Sequence, residues 1–519
     1  VVYRRLAFFV ASMFLCAVSV QGQGVIGSLL DSLPDAVYWQ DVAKKSPKSM
    51  AMRNRVWIPA ETKDDASLLA LSQEWAEGSL QPAQGADGYR QFQVLTEGKT
   101  IWHNMDVWGR FSYNRAKEDS TALRHQTRWN DDAPYYYGSL KKNQYNRETY
   151  KLDAVMQRSF IEGRLPLTLS IDYRLGTHYS NSDPRGDVKD MNLMMELSAG
   201  HKLSVLDYHV TGIWGYGAER VQVGYKNDKY SGGTGYPEYV NWYMNGFGND
   251  EERSASIYYK DIIRRKGAAL NVLLKSFPLS KLYVNARYIK EEQSFRRDNT
   301  SPQTYESLND YTKNIGELDV LWKKEMNKNT GMYFSLWGEM VKGEDYNYSL
   351  LRNNYIYKRN QTKVEGGLSY KQANFDVFLA LNDTWKADGR TGNQMDIVQV
   401  QYGLTTSYRF REIATNYLLL VELGFKARQA VKSSLLLSGV NTGDFGKTII
   451  HRDYLYHTAP MQEWGTRWVW ATVREKHNWS INGQLNYQVR GNLKTLTEKL
   501  LGEPGKSFLY TSVGVSYMF

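Results

Sequence analysis

From about residue 88 to residue 519 apolar and polar side chains take turns along the chain, and no other feature limits the fold as tightly. The clearest stretch is 165–175, LPLTLSIDYRL. Leu165, Leu167, Leu169, Ile171, Tyr173 and Leu175 share one face; Thr168, Ser170, Asp172 and Arg174 share the other. Residues 398–410, 417–427 and 479–489 repeat the pattern. A period of two belongs to a strand, whose successive side chains point to opposite faces. Strands following one another in this way build an antiparallel sheet, which either packs on a second sheet or closes on itself.

Two observations select closure in a membrane. The apolar faces carry Tyr or Trp near the strand ends, whereas the polar faces are continuous and often charged. The connections also alternate: short turns at 162–164, 276–280, 325–330, 372–374, 412–415 and 475–476 are separated by long polar or aromatic loops. Transmembrane barrels have short periplasmic turns and longer outer loops, with aromatic girdles at both rims. Composition agrees, since 38 Tyr and 15 Trp raise the aromatic share to 13%. Mean hydropathy is nevertheless −0.56, too polar for a bundle of membrane helices. The expected fold is therefore an all-β antiparallel transmembrane β-barrel at 88–519. Counting from residue 102 gives about 16 strands, with 14–18 compatible and residues 89–97 a further candidate.

The first residues follow another logic. Arg4 and Arg5 precede the apolar run 6–18, and small or polar residues follow. That order predicts a secretory signal peptide at 1–22. Cys16, the single cysteine, lies inside it, so no disulfide or thiol chemistry is expected in the mature chain. Leu15, just before it, does not fit a lipid attachment site. Residues 23–87 read as an N-terminal periplasmic or plug segment with helical spacing at 28–33 and 65–75, where Leu68, Leu71 and Trp75 share a side.

If the polar faces line the lumen, the alternation turns Arg110, Asp172, Arg174, Arg287, Glu317, Asp319, Glu339, Lys363 and Glu365 inward. Farther along it adds Arg409, Arg411, Glu422, Lys426, Arg428 and Arg490. Charged inward groups suit a water-filled or plugged interior. The basic group Arg409, Arg411, Lys426 and Arg428 either guides a solute or pairs with Glu422 and other carboxylates. Among the loop aromatics, Trp129, Tyr136, Tyr239 and Trp242 are candidates for binding a sugar, a peptide or a partner protein, or for packing the loops into a lid. His451 and His457 are weak metal-ligand candidates because their spacing matches no metal motif. No metal or cofactor is expected. The chain contains no G-x-S-x-G, H-E-x-x-H or P-loop pattern, and Asp207, His209 and Thr211 make no persuasive catalytic set, so no enzyme is expected. The net charge of +10 is dispersed and predicts no nucleic-acid partner.

The final stretch Gly514-Val-Ser-Tyr517-Met-Phe519 resembles the terminal pattern of bacterial outer-membrane β-barrels: glycine, two residues, an aromatic, one residue, an aromatic. The resemblance implies location in the cell outer membrane, contact with its lipid, and an assembly signal at Gly514, Tyr517 and Phe519 read by the barrel-assembly machinery. The stretch 107–114, VWGRFSYN, and the Tyr-rich loops are similar to large Bacteroidota outer-membrane barrels of unassigned function. Residues 23–87 are too few for the plug domain of a TonB-dependent transporter. The expected function is a channel or transporter for a small polar solute. The alternative is a non-conducting barrel that binds a surface or periplasmic protein as a scaffold or assembly component.

Overall fold

The computed structural model describes residues 47–61, 66–121, 123–125, 132, 135–231, 235–253, 256–277, 280–298, 305–327, 330–412, 417–439, 442–472, 478–496 and 502–518. The expected signal peptide and the helix expected at 28–33 lie outside them. The strands begin with β1 (Ala66–Glu77), β2 (Gly88–Trp102), β3 (Met105–Thr121), β4 (Tyr135–Gly138), β5 (Asn143–Phe160), β6 (Leu165–Ser180), β7 (Arg185–Lys202) and β8 (Leu206–Gly224). They continue with β9 (Asn241–Asn245), β10 (Asp250–Arg253), β11 (Ile257–Phe277), β12 (Ser280–Asp298), β13 (Tyr305–Asn327), β14 (Thr330–Asn347) and β15 (Tyr355–Tyr370). The last are β16 (Ala373–Asp388), β17 (Gln394–Glu412), β18 (Tyr417–Leu436), β19 (Met461–Thr472), β20 (Asn478–Arg490) and β21 (Ser507–Met518).

Eighteen of these form one antiparallel sheet that closes where β1 pairs with β21, from Leu68 opposite Met518 to Glu77 opposite Leu509. Closure leaves no edge whose backbone groups lie unpaired in lipid. The count is 18 rather than about 16, and the two additional strands are β1 and β2. Residues 65–75 were expected to be helical, yet β1 runs through them. Its inward face is built from small or polar residues, with Ala70, Ser72, Glu74 and Ala76 buried, while Leu69, Leu71 and Trp75 face outward. Leu68 beside Leu69 and Leu71 mimics a helical stripe. The wall therefore begins at Ala66, ahead of the boundary expected at 88.

Connections of two to five residues join the strands at one end, and connections of four to thirty-two residues join them at the other. One of the two-residue turns, His103-Asn104, has positive φ at both residues (46° and 60°), as a hairpin with the twist of its strands requires. Outward faces expose Leu197, Val210, Met340, Leu379 and Leu423. Trp102, Tyr370, Phe410, Trp470 and Trp479 are exposed near the short-turn end. An apolar belt encircling a protein needs lipid to cover it, and the aromatics mark its rim.

Two bodies occupy the interior. Near the short-turn end, the helix Pro47–Arg53, the 3₁₀ turn Arg55–Trp57 and the helical turn Ile58–Glu61 form a plug. Its Met50, Val56, Trp57 and Ile58 pack on Trp108, Val155, Leu273, Tyr283 and Leu321 of the wall. At the long-loop end, the sheet β10–β9–β4 and the helix Asp444–Thr458 fold inward as a cap. Here Tyr135, Tyr137, Tyr243, Phe247, Ile450 and Tyr454 meet wall residues that include Tyr259, Phe295, Tyr311, Tyr357 and Ile397.

Candidate functional site

The lumen between plug and cap is the candidate site, and charge fixes the plug. Arg55 Nη2 lies 3.0 Å from Asp153 Oδ1 and 2.6 Å from Asp172 Oδ2, with Glu196 at 4.0 Å from Nη1. Arg53 reaches Asp319 at 2.7 Å. Arg287 bridges wall and plug, donating from Nη2 to Glu196 (2.9 Å) and to the Arg53 carbonyl (3.0 Å). Trp57 Nε1 donates to Asn285 Oδ1 at 2.8 Å, and its ring meets His209 edge-on with centroids 5.1 Å apart. Lys99 Nζ donates to the Pro59 carbonyl at 2.5 Å, and Tyr283 bonds Glu61. The plug thus bridges strands from β2 to β13. Buried charges are retained only when paired, which explains why a small segment holds this many carboxylates and guanidinia together.

The alternation identified Asp172, Arg287 and Asp319 as inward, and they are the plug's partners. It did not identify Arg53, Arg55, Trp57, Asp153 or Glu196. A dense run of two arginines and a tryptophan at 53–57 was the available signal.

The other inward candidates hold one another. Arg174 lies 3.6 Å from Asp190, Arg359 lies 2.6 Å from Glu339, and Lys363 lies 3.0 Å from Glu365. Glu317 stands opposite Glu339 in the β13–β14 register. Arg110 is buried on the inner face of β3. In the basic group, Lys426 pairs with Glu463 at 3.3 Å, while Glu422 is 3.8 Å from Arg467. Arg428 donates to the Tyr456 carbonyl at 2.9 Å and covers the Tyr456 ring. Arg409 also faces inward. The side chain of Arg411 lies outside the described residues. Arg490 sits at the end of β20 and holds the last loop, donating to the Gly505 carbonyl at 2.7 Å.

The cap spans the mouth. Tyr135 bonds Asp345, Tyr243 donates to Asn309 at 2.8 Å, and the Phe247 amide donates to Asp388 at 2.8 Å. The Asp250 carboxylate accepts the Gly446 amide at 2.8 Å and so seats the cap helix on the small sheet. Of the loop aromatics, Tyr136 is buried in β4 and Trp242 stacks on Phe445 at 5.8 Å. Tyr239 belongs to a half-buried loop group in which it stacks on Tyr230 at 3.9 Å, with Lys141 over its ring. Trp129 lies outside the described residues. His451 and His457 share the cap helix but, six residues apart, point about 120° away from each other. Among the described residues no cluster of three His, Cys, Asp or Glu side chains is placed to hold a metal.

Two cap histidines carry a pH dependence. Burial holds His125 down to about 4, against an ordinary value of 6.5, although its bond to Asn241 works the other way. Burial, then the charges of Arg428 and Lys386, hold His457 down to about 3. Both rings are therefore neutral in the closed cap. His125 is placed to donate from Nε2 to Asn241 (3.1 Å) and to accept the Tyr145 hydroxyl at Nδ1. Once pH falls below 6.5, an open cap takes up protons that the closed cap refuses. Closure is thus fully supported above pH 6.5 and weakens by up to about 1.4 kcal/mol per histidine for each unit below it, until His125 protonates near 4 and His457 near 3. Protease protection of the loops is expected to be complete at pH 7.5 and reduced at pH 5. Equal protection at both would show that the cap closes without regard to these rings.

Beneath the cap, beside β15–β17, lies a cavity of about 100 Å³ bordered by Arg359, Gln361, Asn382, Thr384 and Gln399 on the wall and by Phe247, Ile450 and His457 above.

Comparison with known proteins adds the following. A model described as "Family of unknown function (DUF6850)" matches residues 56–519. No curated protein matches the chain in sequence. Among solved structures, the chain is similar to the siderophore receptor PiuA from Acinetobacter baumannii, at 9% identity and a TM-score of 0.38, covering 87% of this chain and 82% of that one. It is similar also to OccAB2 from Acinetobacter baumannii, at 11% identity and 0.35, covering 88% and 98%. A Pseudomonas aeruginosa FadL homologue gives 11% and 0.34, covering 89% and 91%.

Proposed function

The chain belongs to the family of unknown function DUF6850, and from its closed barrel with a charged lumen we propose that it is a gated channel or transporter for a small polar solute in the bacterial outer membrane. One observation carries this reading: the lumen is lined with ionic and amide side chains, yet its two ends are filled by separate bodies held by polar contacts as well as by apolar packing. A purely structural barrel has no need for a hydrated lining. Polar latches between plug and wall suit a closure that is meant to come apart, because water can take over each contact as it breaks. The signal peptide at 1–22 and kinship with Bacteroidota-type barrels belong to the same proposal, as does an assembly signal at Gly514, Tyr517 and Phe519. Gly514 and Tyr517 lie on β21; Phe519 is outside the described residues.

The two bodies act in series, so opening one leaves the other in place. Three variants reconstituted in planar bilayers test the reading: one without residues 47–61, one with the cap helix replaced by a short Gly-Ser linker, and one with both changes. Wild type is expected to be nearly silent, the single variants to conduct intermittently, and the double variant to conduct steadily. A silent double variant that still migrates as a folded barrel would overturn channel function. It would favour the second reading, a barrel that docks an envelope partner, for which the group Tyr230, Tyr236 and Tyr239, with Tyr236 exposed, would be the contact.

A further inference from the structure

We propose that the cavity beneath the cap is a binding subsite for a neutral polyhydroxylated solute the size of one sugar ring; this rests on the transport reading and names the class of its cargo. The floor is an amide ladder across three neighbouring strands. Gln361 stands opposite Asn382 in the β15–β16 register, and Asn382 stands opposite Gln399 in β16–β17. Gln361 donates to Asn382 Oδ1 (3.2 Å), Asn382 donates to Gln399 Oε1 (3.1 Å), and Gln399 donates to the His457 carbonyl (2.5 Å). Each amide nitrogen carries two hydrogens and the ladder uses one, so a second remains on each for a ligand. Among the described residues the Gln361 carbonyl and the Thr384 hydroxyl have no hydrogen-bond partner, which supplies an acceptor and a group able to act either way.

A floor that both donates and accepts matches hydroxyl groups, which do the same. The upper part is different in kind: Phe247 and Ile450 of the cap and Met395 at the loop end of β17 are apolar and buried, as suits the C–H face of a ring. The charges nearby are already engaged. Arg359 is held by Glu339 at 2.6 Å, Asp453 accepts the Ala83 amide at 2.8 Å, and the Lys386 ammonium lies 5.6 Å from the centre of the Tyr357 ring. A charged solute would have to break such pairs, so the site favours a neutral one.

Saturation-transfer NMR on the full chain in detergent tests this with three probes, glucose, glucose 6-phosphate and glucosamine, at pH 7.5 and at pH 5, where the cap is looser. Glucose is expected to receive transfer and to outcompete both charged analogues. Asn382→Leu should weaken it about tenfold by removing a donor and an acceptor at once. Thr384→Val, which removes a hydroxyl at nearly constant volume, should weaken it severalfold and serves where the first variant does not fold. Three results would each overturn the subsite: no transfer to glucose at either pH, binding indifferent to both substitutions, or preference for the phosphate. The bilayer experiment separates the two claims. Steady current with no glucose binding removes the subsite alone, and glucose binding with no current removes the channel alone.

Discussion

Replacing Arg55 with alanine is expected to release the plug and leave the barrel standing. The guanidinium sits among Asp153, Asp172 and Glu196, and without it these carboxylates lose the cation placed between them. Removing one partner of a buried ion pair costs roughly 3–5 kcal/mol, and the lower end applies here, because Lys151 stays 3.5 Å from Asp153 and 3.4 Å from Asp172 and Arg287 stays on Glu196. Even the lower figure reduces the docked population more than 100-fold, at about 1.4 kcal/mol for each factor of ten. The wall does not share the loss, since its ladders run strand to strand and make no use of residues 47–61. Limited trypsin digestion of the reconstituted protein reads the effect: the bond after Arg53 should be protected in wild type and cut rapidly in the variant, while the unheated sample still migrates as a compact barrel. Arg55→Lys should fall between them, keeping the charge but losing the planar fork that reaches several carboxylates at once. An Arg55→Ala protein as protected as wild type would mean that Trp57 and its apolar neighbours hold the plug without the charges.

Placing proline at Val513 is expected to abolish the barrel itself. Val513 stands opposite Gly483 on one side and Gln73 on the other, in the strand that closes the circle. Proline brings no N–H to the ladder, and its ring disfavours the conformation of the residue before it. In water a sheet tolerates such a break at an edge. In lipid, a parted seam exposes two rows of backbone groups, each costing several kcal/mol without a partner. Heat-modifiable barrel should vanish from membrane fractions of Val513→Pro and persist for Val513→Ile, which keeps the ladder and the apolar outer face. Wild-type amounts of folded Val513→Pro would show that β1 and β21 need not be joined at that point.

The wall was legible because alternation is local. Strand β6 can be read from 165–175 alone, and the glycine at 163 marks the turn before it. Strand β1 was less legible because its inner face is mostly small residues, so three leucines at 68, 69 and 71 dominate the pattern and look helical. The inner positions Asp172, Arg287 and Asp319 followed from the same alternation. Their partners did not, since Arg53 and Arg55 belong to a segment with no period and meet the wall across long separations, 266 positions between Arg53 and Asp319. The cap is similar: Asp453 accepts the amide of Ala83, 370 positions away. No short window of sequence contains both members of such a pair. The amide ladder falls between these cases. Each of Gln361, Asn382 and Gln399 can be placed inward by period, but their alignment depends on the β15–β16 and β16–β17 registers, which turn geometry sets.

The separation between the plug and its partners also fixes an order of events in folding. The plug is the first described segment of the chain, yet the acids that receive it stand on β5, β6, β7 and β13. Contacts this distant in sequence bring the chain ends of large loops together before any energy is returned, and they form late. The stopper therefore has nowhere to sit until most of the wall is built. On that order a newly made molecule passes through a hollow stage on its way to the closed one, and the docking of the stopper is the proposed opening run backwards.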